Sequence, residues 1–157
     1  MLRRPTHLAV LATCFVPFVT GGEPLLANDT KAAPLVEEGL QVDFGMIATS
    51  AQPGTIAITT SGGQLCSPTL TCLGGQRLGL VYVTGSKEEL VTILIGDALL
   101  SNGSATMLAR FSPSQPYLIL RPGHRKNQFS VRGSLVVEPN QPAGNYTGTY
   151  DIIVEYQ

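Results

Sequence analysis

Residues 128–156 of this chain, QFSVRGSLVVEPNQPAGNYTGTYDIIVEY, contain its strongest fold signal. Apolar side chains alternate with small or polar ones over residues 128–137 and again over 145–156, which is the period of a β-strand with one buried face. The residues between them include two prolines and a glycine, which are typical of a turn. The sequence therefore predicts a terminal hairpin of strands Gln128–Val137 and Asn145–Tyr156 around a turn at Glu138–Gly144.

Shorter segments with the same signal lie upstream, separated by turns rich in Gly, Pro, Asn and Ser. Strands are predicted at Leu40–Met46, Thr55–Thr59, Arg77–Thr84, Leu90–Ile95 and Tyr117–Leu120. Both faces of Arg77–Thr84 are apolar, so it is expected to be a central strand, whereas Tyr117–Leu120 lies between two prolines and is expected to be an edge strand or a short connection. A strand-turn-strand is predicted for Asp97–Phe111, with a short helix as the alternative, and a loop or hairpin for Ser61–Gly75. Seven to nine short strands with such turns favour an all-β, immunoglobulin-like β-sandwich, and a small barrel is the second possibility.

The composition limits the partners. The 157 residues are enough for one domain, 13% of them are charged, and the formal net charge is −1. Binding to a phosphate backbone needs a concentrated excess of Lys and Arg, and the basic cluster His124-Arg125-Lys126 is short and follows Pro122-Gly123. We interpret this cluster as a solvated turn and predict no nucleic-acid partner.

The amino terminus has the features of an export signal. A positive start at Met1–Arg4 precedes an apolar run at Leu8–Val19, which is too short to cross a bilayer. Cleavage after Gly21 or after Ala27 fits the pattern, and Ala27 is favoured. The sequence thus predicts a signal peptide at 1–27, a flexible leader at 28–39 and a domain at 40–157. It predicts no transmembrane segment in the mature chain. The expected location is the periplasm, the cell surface or a fimbrium.

Two cysteines remain once Cys14 is removed with the signal. Cys66 and Cys72 are close in sequence, and in an oxidising compartment they are expected to form a disulfide. Metal binding is the rival interpretation, but it needs further ligands, and the mature chain offers only His124. We therefore predict no metal site and no cofactor.

Catalytic groups are few. One mature histidine leaves carboxylates as the main candidates, namely Glu37, Glu38, Asp43, Asp97 and Asp151. Glu37 and Glu38 fall on the predicted leader and Asp151 on the polar face of a strand, where a solvated role is expected. The sequence predicts that the protein is not an enzyme.

The predicted carboxy-terminal strand is long and two-sided. One face contains Tyr146, Gly148, Tyr150, Ile152, Val154 and Tyr156. At ~3.3 Å per residue such a strand spans about 36 Å. An unpaired apolar strand invites association, so it requires a neighbour. That neighbour is either an internal strand or a strand from another protein, and the pattern leaves both open.

Three features of the sequence resemble a known group of proteins. Gly144 is the fourteenth residue from the carboxy terminus and Tyr156 is penultimate, as in the terminal strand of chaperone-usher pilus subunits. The segments Val42-Asp43-Phe44-Gly45 and Asn140–Gly148 (NQPAGNYTG) resemble the opening and closing signatures of an uncharacterised bacterial secreted domain family. That family is similar to the spore coat protein U group of archaic pilins.

This resemblance implies a mechanism of assembly. In such subunits an immunoglobulin-like fold lacks one strand, which a periplasmic chaperone supplies first and the amino-terminal segment of a like subunit supplies later. Tyr150, Ile152, Val154 and Tyr156 would then line the acceptor groove or the chaperone contact. The predicted function is an exported pilus-type or surface-assembly subunit; the alternative is a self-contained sandwich that recognises a glycan or a protein.

Overall fold

A computed structural model describes residues 31–157. The predicted signal peptide, and residues 28–30 of the predicted leader, lie outside this range. The described residues form an all-β fold with one 3₁₀ turn at His124–Lys126. The strands are β1 (Leu35–Leu40), β2 (Ile47–Ala48), β3 (Gly54–Ile58), β4 (Gln64–Cys66), β5 (Thr71–Cys72), β6 (Gly79–Thr84), β7 (Leu90–Ile95), β8 (Ala98–Ser101), β9 (Thr106–Pro113), β10 (Tyr117–Ile119), β11 (Gln128–Val137) and β12 (Ile152–Tyr156).

The strands form antiparallel sheets. In the larger sheet the order is β1-β6-β11-β3-β4. Strands β6 and β3 follow one another along one edge of β11, and β9, which also pairs with β8, lies along its other edge. The smaller sheet has the order β10-β7-β12, and β2 pairs with β5. The prediction of an all-β sandwich is confirmed.

The space between the two main sheets is filled by apolar side chains. Alternate residues of β6, β7, β11 and β12 point into it, as the period of a strand requires. This inter-sheet cluster contains Val81, Val83, Val91, Ile93, Leu120, Phe129, Val131 and Val154. A second cluster, towards the other end of β11, contains Phe44, Ile56, Ile58, Leu70, Met107, Ala109, Leu135 and Val137. Val42 and Phe111 pack against both clusters and so connect them.

Most of the internal strand predictions are confirmed. The predicted strands at 55–59 and 90–95 correspond to β3 and β7, and the predicted central strand at 77–84 corresponds to β6, which lies between β1 and β11. The strand-turn-strand at 97–111 is β8 and β9, joined by a turn in which the Asn102 side chain accepts hydrogen bonds from the amides of Ser104 and Ala105. Tyr117–Ile119 is an edge strand, as predicted.

The strand count differs from the prediction. Residues 31–157 contain twelve strands instead of seven to nine. The excess comes from short elements such as β2, β4 and β5, which have two or three residues each. Segments of this length contain too few residues to show an alternating pattern, so they cannot be predicted from the sequence.

The prediction of a flexible leader is wrong for its last part. Residues 35–39 belong to β1, which pairs antiparallel with β6. The apolar residues of β1 do not alternate, and every residue of this strand is exposed. Its strand conformation depends on backbone hydrogen bonds to the edge of β6, which require no particular side-chain pattern.

The prediction of a strand at Leu40–Met46 is also wrong. Only Leu40 lies in a strand, and Asp43 forms an isolated bridge with Arg77. Gly45 adopts a φ of 76°, and its amide donates to the Asp43 side chain at 2.8 Å. This local turn interrupts the extended backbone that the alternating apolar residues predict.

The predicted terminal hairpin does not form. β11 pairs with β3, β6 and β9 in the larger sheet, whereas β12 pairs with β7 in the smaller one. The chain therefore crosses between the sheets after β11. β12 also begins at Ile152 instead of Asn145, so the predicted length of about 36 Å is wrong. Alternation determines which face of a strand is buried, but it does not select the neighbouring strand.

Candidate functional site: an open strand edge and its groove

One edge of β12 pairs with β7, and in the described part of the chain no strand pairs with the other edge. The bonds at the ends of the ladder show which backbone groups are free. The Gln157 amide donates to Leu90, and the Asp151 carbonyl accepts from Gly96. In an antiparallel pair alternate residues bond to opposite sides, so Ile153 and Glu155 also face β7. The amides and carbonyls of Ile152, Val154 and Tyr156 consequently point to the open edge.

A groove separates β1 from the start of β12 and the residues that precede it. Its volume is about 400 Å³. One wall comprises Val36 and Glu38 of β1 with Gln41 and Val42 beyond it, and the other comprises residues 147–150 and Ile152. β1 pairs with β6 along one edge, and no other described strand pairs with it. The groove therefore lies between an edge of β1 and the first residue of β12, where the open edge of that strand begins.

Three of the residues predicted for strand association lie on β12 and face the sandwich interior. Val154 is buried in the inter-sheet cluster, while Ile152 and Tyr156 are half-buried and pack against it. The Tyr156 hydroxyl accepts a hydrogen bond from the Ser86 amide at 2.8 Å. The Lys31 ammonium lies 3.9 Å from the centroid of the Tyr156 ring and 2.7 Å from the Glu89 carboxylate. These contacts fix the last aromatic side chain of the strand.

Tyr150 precedes β12 and lies in the wall of the groove. Its ring stacks on Phe111 with the centroids 4.4 Å apart, and its hydroxyl donates to the Glu38 carboxylate at 3.4 Å. Burial raises the pKa of Tyr150 to about 12, with smaller contributions from the negative charge of Glu38 and from their hydrogen bond. The phenol is therefore neutral at physiological pH, and Glu38 is its acceptor.

Gly144 and Tyr146, which were also predicted for strand association, lie in the crossover between the sheets. Gly144 has a φ of 154°, and a Cβ at this position would approach the Asn102 side chain to 2.9 Å. The ring of Tyr146 packs on the second cluster, and its hydroxyl donates to the Pro142 carbonyl at 2.7 Å. The structure therefore separates these two residues from Tyr150, Ile152, Val154 and Tyr156.

The crossover is organised by Gln141, whose role the sequence pattern did not show. Its side chain is 6% exposed, and its amide group donates to the Thr106 carbonyl and to the Tyr146 hydroxyl. A buried amide with these partners fixes the path of the chain. The two signature segments, residues 42–45 and 140–148, meet here, because residues from both line a second cavity of about 490 Å³. Val42 borders this cavity and the groove.

The disulfide Cys66–Cys72 is present, as predicted. Cys66 belongs to β4 of the larger sheet, and Cys72 belongs to β5, which pairs with β2. The backbones of Met46 and Leu73 are hydrogen-bonded next to this pair, at 2.8 Å. Because Met46 and β2 line the second cavity, the disulfide connects one wall of that cavity to the larger sheet.

Residues 31–157 contain no group of three His, Cys, Asp or Glu side chains placed to hold a metal ion. Of the carboxylates considered above, Asp43 accepts from the Gly45 amide, and Asp97 lies 3.8 Å from Arg110. None of the helical structure found in this range is long and apolar enough to span a membrane.

The fold and the site define this chain as an antiparallel β-sandwich domain with an open strand edge over a groove. The chain belongs to the family described as Domain of unknown function (DUF4402), whose profile matches residues 36–156. The matched range begins within β1, which the sequence pattern had placed in the leader, and ends with β12. Comparisons with curated proteins and with solved structures gave no match.

Proposed function

We propose that this protein is an exported pilus-type or surface-assembly subunit that associates with like subunits by β-strand complementation. A strand of the partner would enter the groove and pair with the open edge of β12. Main-chain hydrogen bonds would supply attraction, and side chains at alternate positions would fix the register. The observation that carries the proposal is the one-sided pairing of β12 beside a groove that a second strand edge, β1, also borders.

The strand order supports this proposal. An immunoglobulin sandwich has four strands in the order ABED facing strands C, F and G, so that F lies between C and G. Here β1-β6-β11-β9 occupies the positions of ABED, and β7 and β12 occupy those of C and F. The position of strand G is the open edge of β12. A partner strand bound there would complete the seven-strand arrangement of an immunoglobulin sandwich.

The exposure of β1 is consistent with the same arrangement. Val36 pairs with Val83, so the two side chains lie on the same face of the sheet. Val83 is fully buried, whereas Val36 is 40% exposed because it borders the groove. A strand in the groove would cover Val36 and bury further apolar area.

Export is part of the proposal. The positive and apolar amino-terminal sequence supports it, and the Cys66–Cys72 disulfide is compatible with an oxidising compartment. A periplasmic chaperone that occupies the groove before assembly is the further partner that this mechanism requires.

The experiment that tests the function measures self-association of the full chain expressed in a bacterium and purified from the exported fraction. We expect concentration-dependent oligomers on size-exclusion chromatography and ladders in SDS gels that collapse on boiling. A protein that stays monomeric at every concentration and forms no ladder would contradict the proposal.

A matched pair of backbone changes shows whether β12 provides the contact. Replacing the Val154 amide by an ester removes one N–H from the open edge and should weaken association about fivefold, as expected for one hydrogen bond. The same change at Ile153 removes an N–H that faces β7, so it should lower stability without a specific loss of association. Equal effects of the two esters on association would show that the contact lies elsewhere.

The second cavity favours an alternative function, a self-contained sandwich that binds a glycan or a protein. The cavity is bordered by both signature segments and by the apolar side chains of Met107, Leu135 and Val137. In that case, substitutions at the cavity rim, such as Asn145→Ala, should abolish binding while esters on β12 leave it unchanged. The opposite result would favour strand complementation.

A further inference from the structure

We propose that Glu38 makes the groove selective for an extended segment that contains a lysine or arginine among its alternating apolar residues. The inference rests on the proposed function, in which the groove accepts a strand. It adds the chemistry of the partner, which neither the strand order nor the open edge of β12 specifies.

The pairing of β1 with β6 determines where Glu38 points. Glu38 lies opposite Val81, and residues opposite each other in an antiparallel pair share one face of the sheet. Val81 is fully buried between the sheets. The Glu38 side chain is therefore directed towards the interior side of β1, into the groove, whereas the neighbouring Glu37 lies on the other face, opposite Tyr82.

The surroundings of Glu38 leave its charge unbalanced within the groove. The described residues that line the groove include one carboxylate, that of Glu38, and no lysine, arginine or histidine. The Tyr150 hydroxyl donates to Glu38 at 3.4 Å, which is a long hydrogen bond. The cations of Lys31 and Arg110 are paired with Glu89 and Asp97 instead.

A strand that entered the groove would cover this carboxylate and remove its water. Covering a charge without a partner is strongly unfavourable, whereas a cation placed beside it restores a charge-assisted hydrogen bond. An inward-pointing charge on an edge strand also disfavours pairing with apolar strands in general. Glu38 would thus admit a segment with a matching cation and discriminate against one that is apolar throughout.

The test uses synthetic peptides of alternating valine and threonine in which one valine at a time is replaced by lysine, leucine or glutamate. Binding to the full chain is measured by fluorescence anisotropy. At one position in the peptide, lysine should bind about tenfold more tightly than leucine, as expected for one charge-assisted hydrogen bond. Glu38→Gln should remove this preference, and Glu38→Lys should transfer it to the glutamate peptide.

The controls separate this inference from the proposed function. Glu155→Gln removes a carboxylate from the exposed face of β12 and should leave the lysine preference unchanged. Circular dichroism checks that each variant is folded, and Glu38→Ala replaces Glu38→Gln if the latter is not. Hydrogen exchange of the Ile152, Val154 and Tyr156 amides reports whether a bound peptide lies in the groove.

Two outcomes overturn the inference in different ways. Peptides that bind in the groove with the same affinity whatever residue they place beside Glu38 would refute the role of Glu38 and leave strand complementation intact. If no peptide protects the β12 amides and the protein does not self-associate, strand complementation fails, and the selectivity fails with it.

Discussion

Tyr150 is the residue that joins the two walls of the groove to the core. Its ring packs on Phe111, which belongs to β9 of the larger sheet and contacts both apolar clusters, and its hydroxyl reaches Glu38 on β1. A phenol held between apolar surroundings and a carboxylate favours its protonated form, which is why the pKa of Tyr150 rises to about 12. Its ionisation is therefore coupled to folding.

The coupling predicts a specific dependence of stability on pH. Because the folded pKa lies above the unfolded value of about 10, the contribution of Tyr150 is fully present below pH ~10 and is lost as the pH rises towards 12. The difference in free energy of unfolding between the wild type and Tyr150→Phe should therefore decrease over this range. Urea unfolding of both proteins at a series of pH values measures this difference in free energy. A similar decrease for Tyr117→Phe, on the edge strand β10, would contradict the assignment to Tyr150.

At the scale of single elements, β12 is asymmetric. Its odd-numbered residues bond to β7, while the backbone groups of Ile152, Val154 and Tyr156 face the open edge. The same three residues point their side chains inward, since they are half-buried or buried while Ile153 and Glu155 are exposed. The strand thus anchors itself by side chains on one face and presents free hydrogen-bonding groups along one edge.

Hydrogen exchange can detect this asymmetry in the unassembled protein. The amides of Ile153 and Glu155 should exchange slowly, because they bond to β7, and those of Ile152, Val154 and Tyr156 should exchange much faster. Nuclear magnetic resonance resolves the individual amides. Uniformly slow exchange along β12 in a sample shown to be monomeric would mean that the open edge is already paired.

The disulfide is expected to stabilise mainly the strands that it connects. It joins β4 to β5, and closing so small a loop is expected to stabilise the fold by about 2 kcal/mol. The double variant Cys66→Ala/Cys72→Ala should lose about this amount in chemical denaturation. Exchange of the Leu73 amide, which donates to Met46 beside β2, should accelerate more than exchange in β6 or β11. An equal acceleration throughout the sheets would instead indicate a global effect.

At the scale of the whole molecule, two apolar clusters are joined into one cooperative unit. β11 contributes Val131 and Phe129 to the inter-sheet cluster and Leu135 and Val137 to the second one. Val42 and Phe111 contact both clusters. A disturbance in either cluster should therefore be transmitted to the other.

Matched core substitutions test this cooperativity. Ile56 in the second cluster and Ile93 in the inter-sheet cluster are both almost completely buried. Ile56→Ala and Ile93→Ala should each lower the free energy of unfolding by about 2–5 kcal/mol. Methyl signals from the two clusters should still disappear in one common transition. Two separate transitions would show that the clusters are independent folding units.

Features of the fold that depend on neighbouring residues could be predicted from the amino-acid sequence. Alternation of apolar side chains predicted β3, β6, β7 and β11 and an all-β sandwich, and turn residues around Asn102 predicted the β8–β9 connection. The spacing of Cys66 and Cys72 and the expected oxidising compartment predicted the disulfide. These predictions succeed because a strand's period and a turn's backbone conformation are local properties.

The pairing of the strands with one another could not be predicted in this way and is seen in the folded structure alone. In the folded structure β12 pairs with β7 and not with β11 as predicted, and part of the predicted leader forms β1. The groove exists because of those two pairings, and across it Glu38 lies beside Tyr150, which is 112 positions away in the sequence. Backbone hydrogen bonds between strands do not depend on side-chain identity, so the choice of partner is set by how the apolar faces pack together.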